Sequence, residues 1–244
     1  MTWTSFFLLG LLWASPALSA ERVYHSLYGE LLQKYVKKGV VDYQGFKREE
    51  AGLDNYLAVL EKTDTKALFP DEQFAFYVNA YNAWTIKLIL GAYPGIKSIK
   101  ELVTPFRGQW KRKIARIDGD LLTLDNIEHD ILRPRFKDPR IHFAVNCASK
   151  GCPPLLSEPY RRDVLDRQLT EVTEAFINDP SYNRFEGNTL YVSSIFKWYS
   201  EDFKEGIVEF FKQYARGELR DKVQGNQKKI KVEYLDYDWS LNGI

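Results

Sequence analysis

One apolar run, residues 74–90, constrains the fold of this chain more than any other feature. Its residues are apolar on nearly every side of a helix, which is typical of a helix buried inside a protein. Pro70 and the acidic residues after it favour a helix start, because proline fits the first turn and acids suit the positive end of the dipole. Asn79, Asn82 and Lys87 interrupt the run, and its length is marginal for a bilayer. We therefore predict a central buried helix and not a membrane span.

The segments around this helix predict a mixture of helices and strands. The spacing of apolar residues predicts further helices over residues 23–37, 54–60, 125–133, 163–177 and from a cap at Ser194 to Phe211. Strand patterns cover residues 40–43, 113–117, 121–124, 141–146, 189–192 and 230–235, with a hairpin turn at Asp118-Gly119 or Gly119-Asp120. Strands and helices do not alternate regularly, which favours the α+β class. We expect a single domain with a central buried helix, a small mostly antiparallel sheet and surrounding helices.

The N-terminus has the layout of a secretory signal. Residues 6–14 are apolar, and this run is too short to span a bilayer. A Ser15-Pro16 break and small residues follow, before the charged Glu21. We therefore predict a signal peptide over residues 1–20, one globular domain over residues 21–244, a periplasmic or secreted location and no stable membrane span after cleavage. An uncleaved anchor or a buried first helix is the alternative.

The charge balance argues against one class of function. The chain has 34 Lys and Arg against 33 Asp and Glu, for a formal net charge of +1. A dedicated nucleic-acid binder carries a basic surplus, so we expect no nucleic-acid partner. The sequence has neither a phosphate-binding loop nor a Gly-x-Ser-x-Gly elbow, and no cofactor is expected. The expected partner is a small molecule or a peptide.

Two cysteines, Cys147 and Cys152, fall in one turn-rich loop. In an exported protein, an even number of nearby cysteines suggests a disulfide. So small a ring would stabilise the fold by only about 2 kcal/mol, which makes the bond a local staple. A short ring also strains the bond and makes it reducible, so reactive sulfur is the other interpretation.

Candidate catalytic residues surround the first of these cysteines. In the predicted strand, His142, Ala144 and Asn146 share one face, which could line a cleft ending at Cys147. Glu128 falls on the core-facing arc of a short helix, where a carboxylate must find a partner. Cys147 as nucleophile, His142 as base and Glu128 or Asn146 as orienting group would meet the minimum for thiol chemistry. A structural Glu128–arginine pair is the alternative.

Four polar residues are candidates for substrate binding: Asn79, Asn82, Asn146 and Ser149. Asn79 and Asn82 lie about one turn apart on the central helix and so share a side. Buried amides require hydrogen-bond partners. They either tie loops to the helix or donate to a ligand carbonyl or an oxyanion.

Several ordered blocks carry a resemblance to a known family. The most specific are Leu-Asp-Asn-Ile-Glu-His-Asp-Ile-Leu-Arg at residues 124–133 and His-Phe-Ala-Val-Asn-Cys-Ala-Ser-Lys-Gly-Cys-Pro-Pro-Leu at residues 142–155. Further blocks lie at residues 31–36, 41–43, 71–83 and 195–203. Together they cover most of the mature chain, and the sequence resembles the family catalogued as domain of unknown function 547. The resemblance implies a shared domain and transfers no activity, cofactor or partner.

Three functions therefore remain open. The first is a non-catalytic exported binding module with a Cys147–Cys152 loop and an apolar or aromatic cleft. The second is a cysteine-dependent hydrolase or acyltransferase that uses Cys147 and His142. The third is a metal-binding protein with Cys147, Cys152, His142 and His129 as ligands, although their spacing matches no standard zinc pattern.

Overall fold

The computed structural model describes residues 17–102, 108–225 and 229–243. The helices in these ranges are α1 Ala17–Tyr35, α2 Tyr43–Arg48, α3 Glu50–Lys62, α4 Pro70–Leu90, α5 Arg133–Phe136, α6 Ile141–Ala144, α7 Leu165–Ile177, α8 Ile195–Trp198, α9 Ile207–Tyr214 and α10 Gly217–Gly225. The strands are β1 Val36–Lys37, β2 Val40–Val41, β3 Ala115–Ile117, β4 Asp120–Leu122, β5 Arg184–Glu186, β6 Thr189–Val192 and β7 Lys231–Tyr234. A π-helix, Asn126–Leu132, leads directly into α5.

Helix α4 is the central buried element that its sequence predicts. Pro70 occupies the first turn, and the N–H of Phe69 donates to Oε2 of Glu72 at 2.9 Å, which closes the N-terminus. Most of its residues are buried, the polar Asn79 and Asn82 included. It packs against α2, α3 and the π-helix. This burial on all sides explains why the helix shows no polar face in the sequence.

The strands form small sheets at the edges of the helical core. β1 pairs with β2 and β3 pairs with β4, both antiparallel, while β5, β6 and β7 form a three-stranded sheet in which β7 runs parallel to β6. Asp118 and Gly119 form the two-residue β3–β4 turn, and both have positive φ. The predicted α+β class is confirmed, with sheets that are mostly antiparallel.

The predicted strand over residues 141–146 is wrong. Residues Ile141–Ala144 form the short helix α6, and extended backbone begins only at Val145. A turn at Asp138 starts the helix. The N–H groups of Ile141 and His142 donate to the carbonyls of Asp138 and Pro139. The Asp138 carboxylate also accepts from the N–H of Arg140 at 2.9 Å. Ile141–Ala144 is helical and buried throughout, so His142, Ala144 and Asn146 do not share the strand face that we predicted.

The single helix predicted after Ser194 is also divided. The chain forms α8, a 3₁₀ turn at Ser200–Asp202 and then α9. Gly206, with φ of 92°, separates the last two, because that left-handed conformation cannot continue a helix. The hydroxyl of Ser194 donates to the carbonyl of Leu235 at 2.6 Å and accepts no hydrogen bond from the N–H groups of its own helix. The break turns Asp202 toward the interior face of α6.

Most of the predicted signal peptide lies outside the described residues. The description begins at Ala17, and α1 continues from there to Tyr35. No helix in the described part of the chain combines the length and apolarity needed to cross a membrane.

The cysteine loop is held between two distant parts of the chain. Leu155 forms a β-bridge with Gly39, and Ser149 forms one with Leu241. Gly39 has φ of 79°, and a Cβ there would lie 2.3 Å from Cβ of Pro154, so only glycine fits. The N–H groups of the loop also donate to C-terminal carbonyls, as Gly151 does to Asp238 at 2.8 Å. These contacts place both cysteines at one end of a cleft.

Candidate functional site

An aromatic cleft of about 310 Å³ brings the cysteine loop, the π-helix, α6 and the C-terminal segment together. Its described lining consists of Tyr81, Trp110, Asp125, Glu128, His129, His142, Val145, Cys147, Cys152, Ile195, Trp198, Tyr199, Tyr237 and Trp239. The predicted site residues Cys147, His142 and Glu128 therefore lie in one cleft. Aromatic walls around a few polar groups are typical of ligand sites.

Hydrogen bonds converge on the sulfur of Cys147. Its Sγ atom lies 3.0 Å from Oγ of Ser149 and 3.1 Å from the hydroxyl of Tyr237. The Ser149 N–H and the Cys152 thiol also bond to it. Burial by itself raises the pKa of the Cys147 thiol, but these hydrogen bonds, with Cys152 foremost, outweigh burial and lower the pKa. The arrangement favours a thiolate.

The backbone next to this sulfur is strained. Ala148 has φ of 61°, a left-handed conformation that non-glycine residues rarely adopt. Its N–H donates to Oδ1 of Asn146 at 2.9 Å, which holds the turn. The strain persists because Asn146 and the loop anchors fix the chain on both sides. Strained residues of this kind cluster at functional sites.

Cys152 differs from Cys147 in its environment. It is buried, and burial raises the pKa of its thiol well above the usual range. Its Sγ atom accepts a hydrogen bond from the N–H of Cys147 at 2.8 Å. Both cysteines are free thiols in the structure, and the disulfide between them stays a prediction.

His142 is held by an aspartate that the sequence analysis did not single out. Its Nε2 atom lies 2.7 Å from Oδ2 of Asp202, and the same oxygen accepts from Nε of Arg133 at 2.6 Å. The imidazole ring stacks on Tyr199 with centroids 3.9 Å apart. Its Nδ1 atom is buried and has no hydrogen-bond partner among the described residues. With Nε2–H directed at the carboxylate, Nδ1 carries the lone pair of the neutral ring.

Glu128 is buried as predicted, and its hydrogen-bond partner is Tyr199. The Tyr199 hydroxyl donates to its carboxylate, whereas the carboxylate bonded to His142 is that of Asp202. An orienting role for Glu128 stays a prediction. Burial, together with the nearby Glu128 charge, raises the pKa of Tyr199 far above the usual range, so the phenol remains a donor. His129 is exposed, as its position on the helix predicts.

Two of the substrate-binding candidates form hydrogen bonds with loop backbone. Asn79 exchanges two hydrogen bonds with the backbone of Tyr160, each of 2.8 Å. Asn82 donates to the carbonyl of Ala144 at 3.0 Å and accepts from the N–H of Asn146 at 2.8 Å. Neither amide is among the described residues that line the cleft. Asn82 therefore positions the segment between His142 and the cysteine loop.

The remaining two candidates lie within the loop itself. The side chain of Asn146 donates to the carbonyl of Pro153 at 2.8 Å and accepts from Asn242 at 3.0 Å. Ser149 is fully buried, and its hydroxyl donates to Tyr237 at 3.0 Å. Asn146 thus shapes the loop, while Ser149 contacts the Cys147 sulfur directly. Direct contact of these residues with a substrate stays a prediction.

Tyr199, Asp202 and Tyr237 were missed from the sequence. Asp202 and Tyr199 lie in the block of residues 195–203, but their local pattern indicates only a helix end. Tyr237 is 90 residues from Cys147, and no local signal connects the two. The metal hypothesis gains no support, since the described residues contain no group of three or more His, Cys, Asp or Glu side chains placed to hold one ion.

The comparisons with known proteins bear on the family and not on an activity. A trigger factor of Borrelia hermsii is 24% identical over 144 residues, which is 59% of this chain and 28% of that protein. The chain thus matches little more than a quarter of the length of this relative. No solved structure matches the chain. Residues 65–177 match the family model described as "Protein of unknown function, DUF547", which is the family that the sequence blocks predicted.

Proposed function

We propose that this protein is a cysteine-dependent hydrolase or acyltransferase in which Cys147 is the nucleophile. The observation that carries the proposal is the set of donors around the Cys147 sulfur, which lower its pKa within an aromatic cleft. A thiolate, not a thiol, is the reactive form of cysteine. A purely structural buried cysteine has no need of such donors. The N–H of Ser149 and the hydroxyl of Tyr237 supply two of them, and both residues are positioning residues in this scheme.

His142 and Asp202 supply the proton transfer. Both His142 and Cys147 line the cleft, so an acyl compound bound there would have both groups in the same cavity. Asp202 holds one ring nitrogen of His142, which leaves Nδ1 to exchange a proton with the substrate. A third group that orients the base completes the arrangement that nucleophilic catalysis requires.

The reaction then has two balanced steps. The Cys147 thiol gives its proton to Nδ1 of His142, the thiolate attacks the acyl carbon, a thioester forms, and the amine or alcohol leaves with that proton. Water or an acceptor alcohol or amine next attacks the thioester and gives a proton to His142, which releases the acid or the new acyl product and restores the thiolate. Water as the second nucleophile makes the enzyme a hydrolase, and another acceptor makes it an acyltransferase.

An activated ester, p-nitrophenyl acetate, tests the proposal. We expect a burst of p-nitrophenol equal to the enzyme concentration and an acetyl group on Cys147 by peptide mass spectrometry. Cys147→Ser should abolish the burst, whereas Cys152→Ser should retain it. Asp202→Asn should slow acylation about 100-fold, because general base catalysis contributes on that order. A burst that persists in Cys147→Ser would reject Cys147 as the nucleophile.

The aromatic walls favour a second candidate, the non-catalytic binding module. Trp198, Tyr237 and Trp239 pack together at one side of the cleft, with ring centroids 4.5–5.5 Å apart. Such a surface binds ligands by stacking without any chemistry. A ligand that binds equally to the wild type and to Cys147→Ser, with no acyl-enzyme in either, would select this candidate. Export to the periplasm or the exterior is part of both proposals.

A further inference from the structure

The cleft is lined by carboxylates but by no Lys or Arg among its described residues. Among its described lining residues Asp125 and Glu128 carry carboxylates, and no Lys or Arg lines it. Neither carboxylate forms an ion pair with a described residue, although Lys111 and His129 lie within electrostatic reach of Asp125. Ion pairs are frequent elsewhere in the described chain; Arg133, for example, pairs with both Glu201 and Asp202. The two carboxylates of the cleft therefore lack the Lys or Arg partner that many other carboxylates of the described chain have.

The hydrogen-bonding groups of the cleft point to the same ligand chemistry. Nδ1 of His142 is buried and unpaired among the described residues, and it is an acceptor in the neutral ring whose Nε2–H binds Asp202. Nδ1 of His142 and the two carboxylates are all acceptors, so they favour a ligand that donates hydrogen bonds. Burial raises the pKa of Asp125, the charges of His129 and Lys111 oppose this rise, and the nearby Glu128 adds to it.

The aromatic walls can accept a cation as well. Trp110, Trp198, Tyr199, Tyr237 and Trp239 line the cleft. The ring of Trp239 already has one cation over it, since Nζ of Lys100 lies 4.0 Å from the ring centroid. Indole and phenol faces attract ammonium and guanidinium groups through the ring quadrupole. Aromatic faces combined with unpaired carboxylates distinguish a cation site from a plain apolar one.

We propose that the cleft selects ligands that carry a cationic ammonium or guanidinium group, held between the aromatic walls and the carboxylates of Asp125 and Glu128. Under the function proposed above, on which the statement about substrates rests, the acyl compounds attacked by Cys147 carry this cation close to the scissile bond. Asp125 is the specificity-determining residue that is easiest to test, because it is half-buried at the start of the π-helix and not in the core.

Arginine amide and citrulline amide are the probes, each acetylated on the α-nitrogen so that no α-ammonium remains; they match in shape and differ only in the charge of the guanidinium group. Titration of tryptophan fluorescence should show arginine amide binding about tenfold more tightly. Asp125→Asn should remove most of this difference without changing the binding of citrulline amide. Asp130→Asn is the matched control, because Asp130 is exposed on the same helix and lies outside the described lining of the cleft. Equal binding of the two amides, absence of binding by either, or an unchanged preference in Asp125→Asn would overturn the inference.

The same titration on Cys147→Ser separates this inference from the proposed function. Selective binding of the cation with no thiol-dependent acylation in the wild type would reject the enzyme and keep the cation site. Thiol-dependent acylation with no cation preference would keep the enzyme and reject the cation site.

Discussion

Nε2 of His142 lies 2.7 Å from Oδ2 of Asp202, although 60 residues separate them along the chain. The contact exists because α6 buries the imidazole while the 3₁₀ turn after α8 presents the carboxylate. Arg133 binds the same carboxylate oxygen. The aspartate thus connects the cleft to the π-helix and α5 region as well as orienting the histidine.

Asp202→Asn should reduce the stability of the fold in a pH-dependent way. Burial by itself would raise the pKa of Asp202, but hydrogen bonds from His142 and Arg133 hold it well below the usual range. A carboxyl with a depressed folded-state pKa stabilises the fold above its unfolded pKa of about 4, and this contribution is lost as the pH falls through the folded value. We expect a loss of about 1 kcal/mol at pH 7, because solvent screens a partly exposed pair.

Urea denaturation at several pH values measures this effect. The difference between the wild type and Asp202→Asn should shrink as the pH falls below about 4. Glu233→Gln, an exposed change on β7, serves as the control and should leave the stability curve unchanged. A constant difference down to pH 2 would contradict the linkage of Asp202 to acid stability.

Cys147 should be alkylated selectively at mildly acidic pH. Its lowered thiol pKa and partial exposure favour reaction with iodoacetamide at about pH 6, whereas the raised pKa and burial of Cys152 protect that thiol. Peptide mass spectrometry after a short exposure identifies the modified residue. If both sulfurs react only after a reductant is added, the pair is a disulfide and the reactive thiol is excluded.

Tyr237→Phe should raise the pKa of Cys147 while the ring stays in place. The variant removes one donor, 3.1 Å from the sulfur, from the group that stabilises the thiolate. The pH midpoint of alkylation should rise by about one unit, since a hydrogen bond to a charged group is worth roughly that much. Tyr234→Phe, on the exposed part of β7, is the matched control. An unshifted midpoint would show that Tyr237 does not hold the thiolate.

Asn79→Leu should destabilise the fold by about 1–3 kcal/mol, because the N–H and carbonyl of Tyr160 would be left buried without partners. Asn55→Leu, an exposed change on α3, should stay within about 0.5 kcal/mol of the wild type. Thermal and chemical denaturation compare the two. Equal melting temperatures for wild type and Asn79→Leu would contradict the role of this amide in holding the loop.

Export should leave a shortened chain. The apolar run and the small residues after it predict a mature N-terminus between Ser19 and Glu21. Intact-mass measurement on protein from periplasmic and medium fractions of the native host would identify it. A full-length chain that begins at Met1 in the cytosolic fraction would reject the signal.

The sequence by itself determined the elements whose local pattern is unambiguous. The long apolar run of residues 74–90 could only be a buried helix, and Asp118-Gly119 supplied the positive φ values of a hairpin turn. The burial of Glu128 and the exposure of His129 also followed from helical geometry. In each case the residues that decide the structure are neighbours in the chain.

Only the tertiary structure decided the short elements and the partners within the site. Residues 141–144 alternate like a strand but form a helix, because packing buries them on all sides. In so short an apolar run the hydrophobic periodicity cannot distinguish a strand from a helix. The Asp202 carboxylate and the Tyr237 hydroxyl reach His142 and Cys147 from 60 and 90 residues away. Their positions depend on how α8, the C-terminal segment and the cysteine loop pack together. Local sequence cannot encode those contacts, because they arise from burial shared between distant segments of the chain.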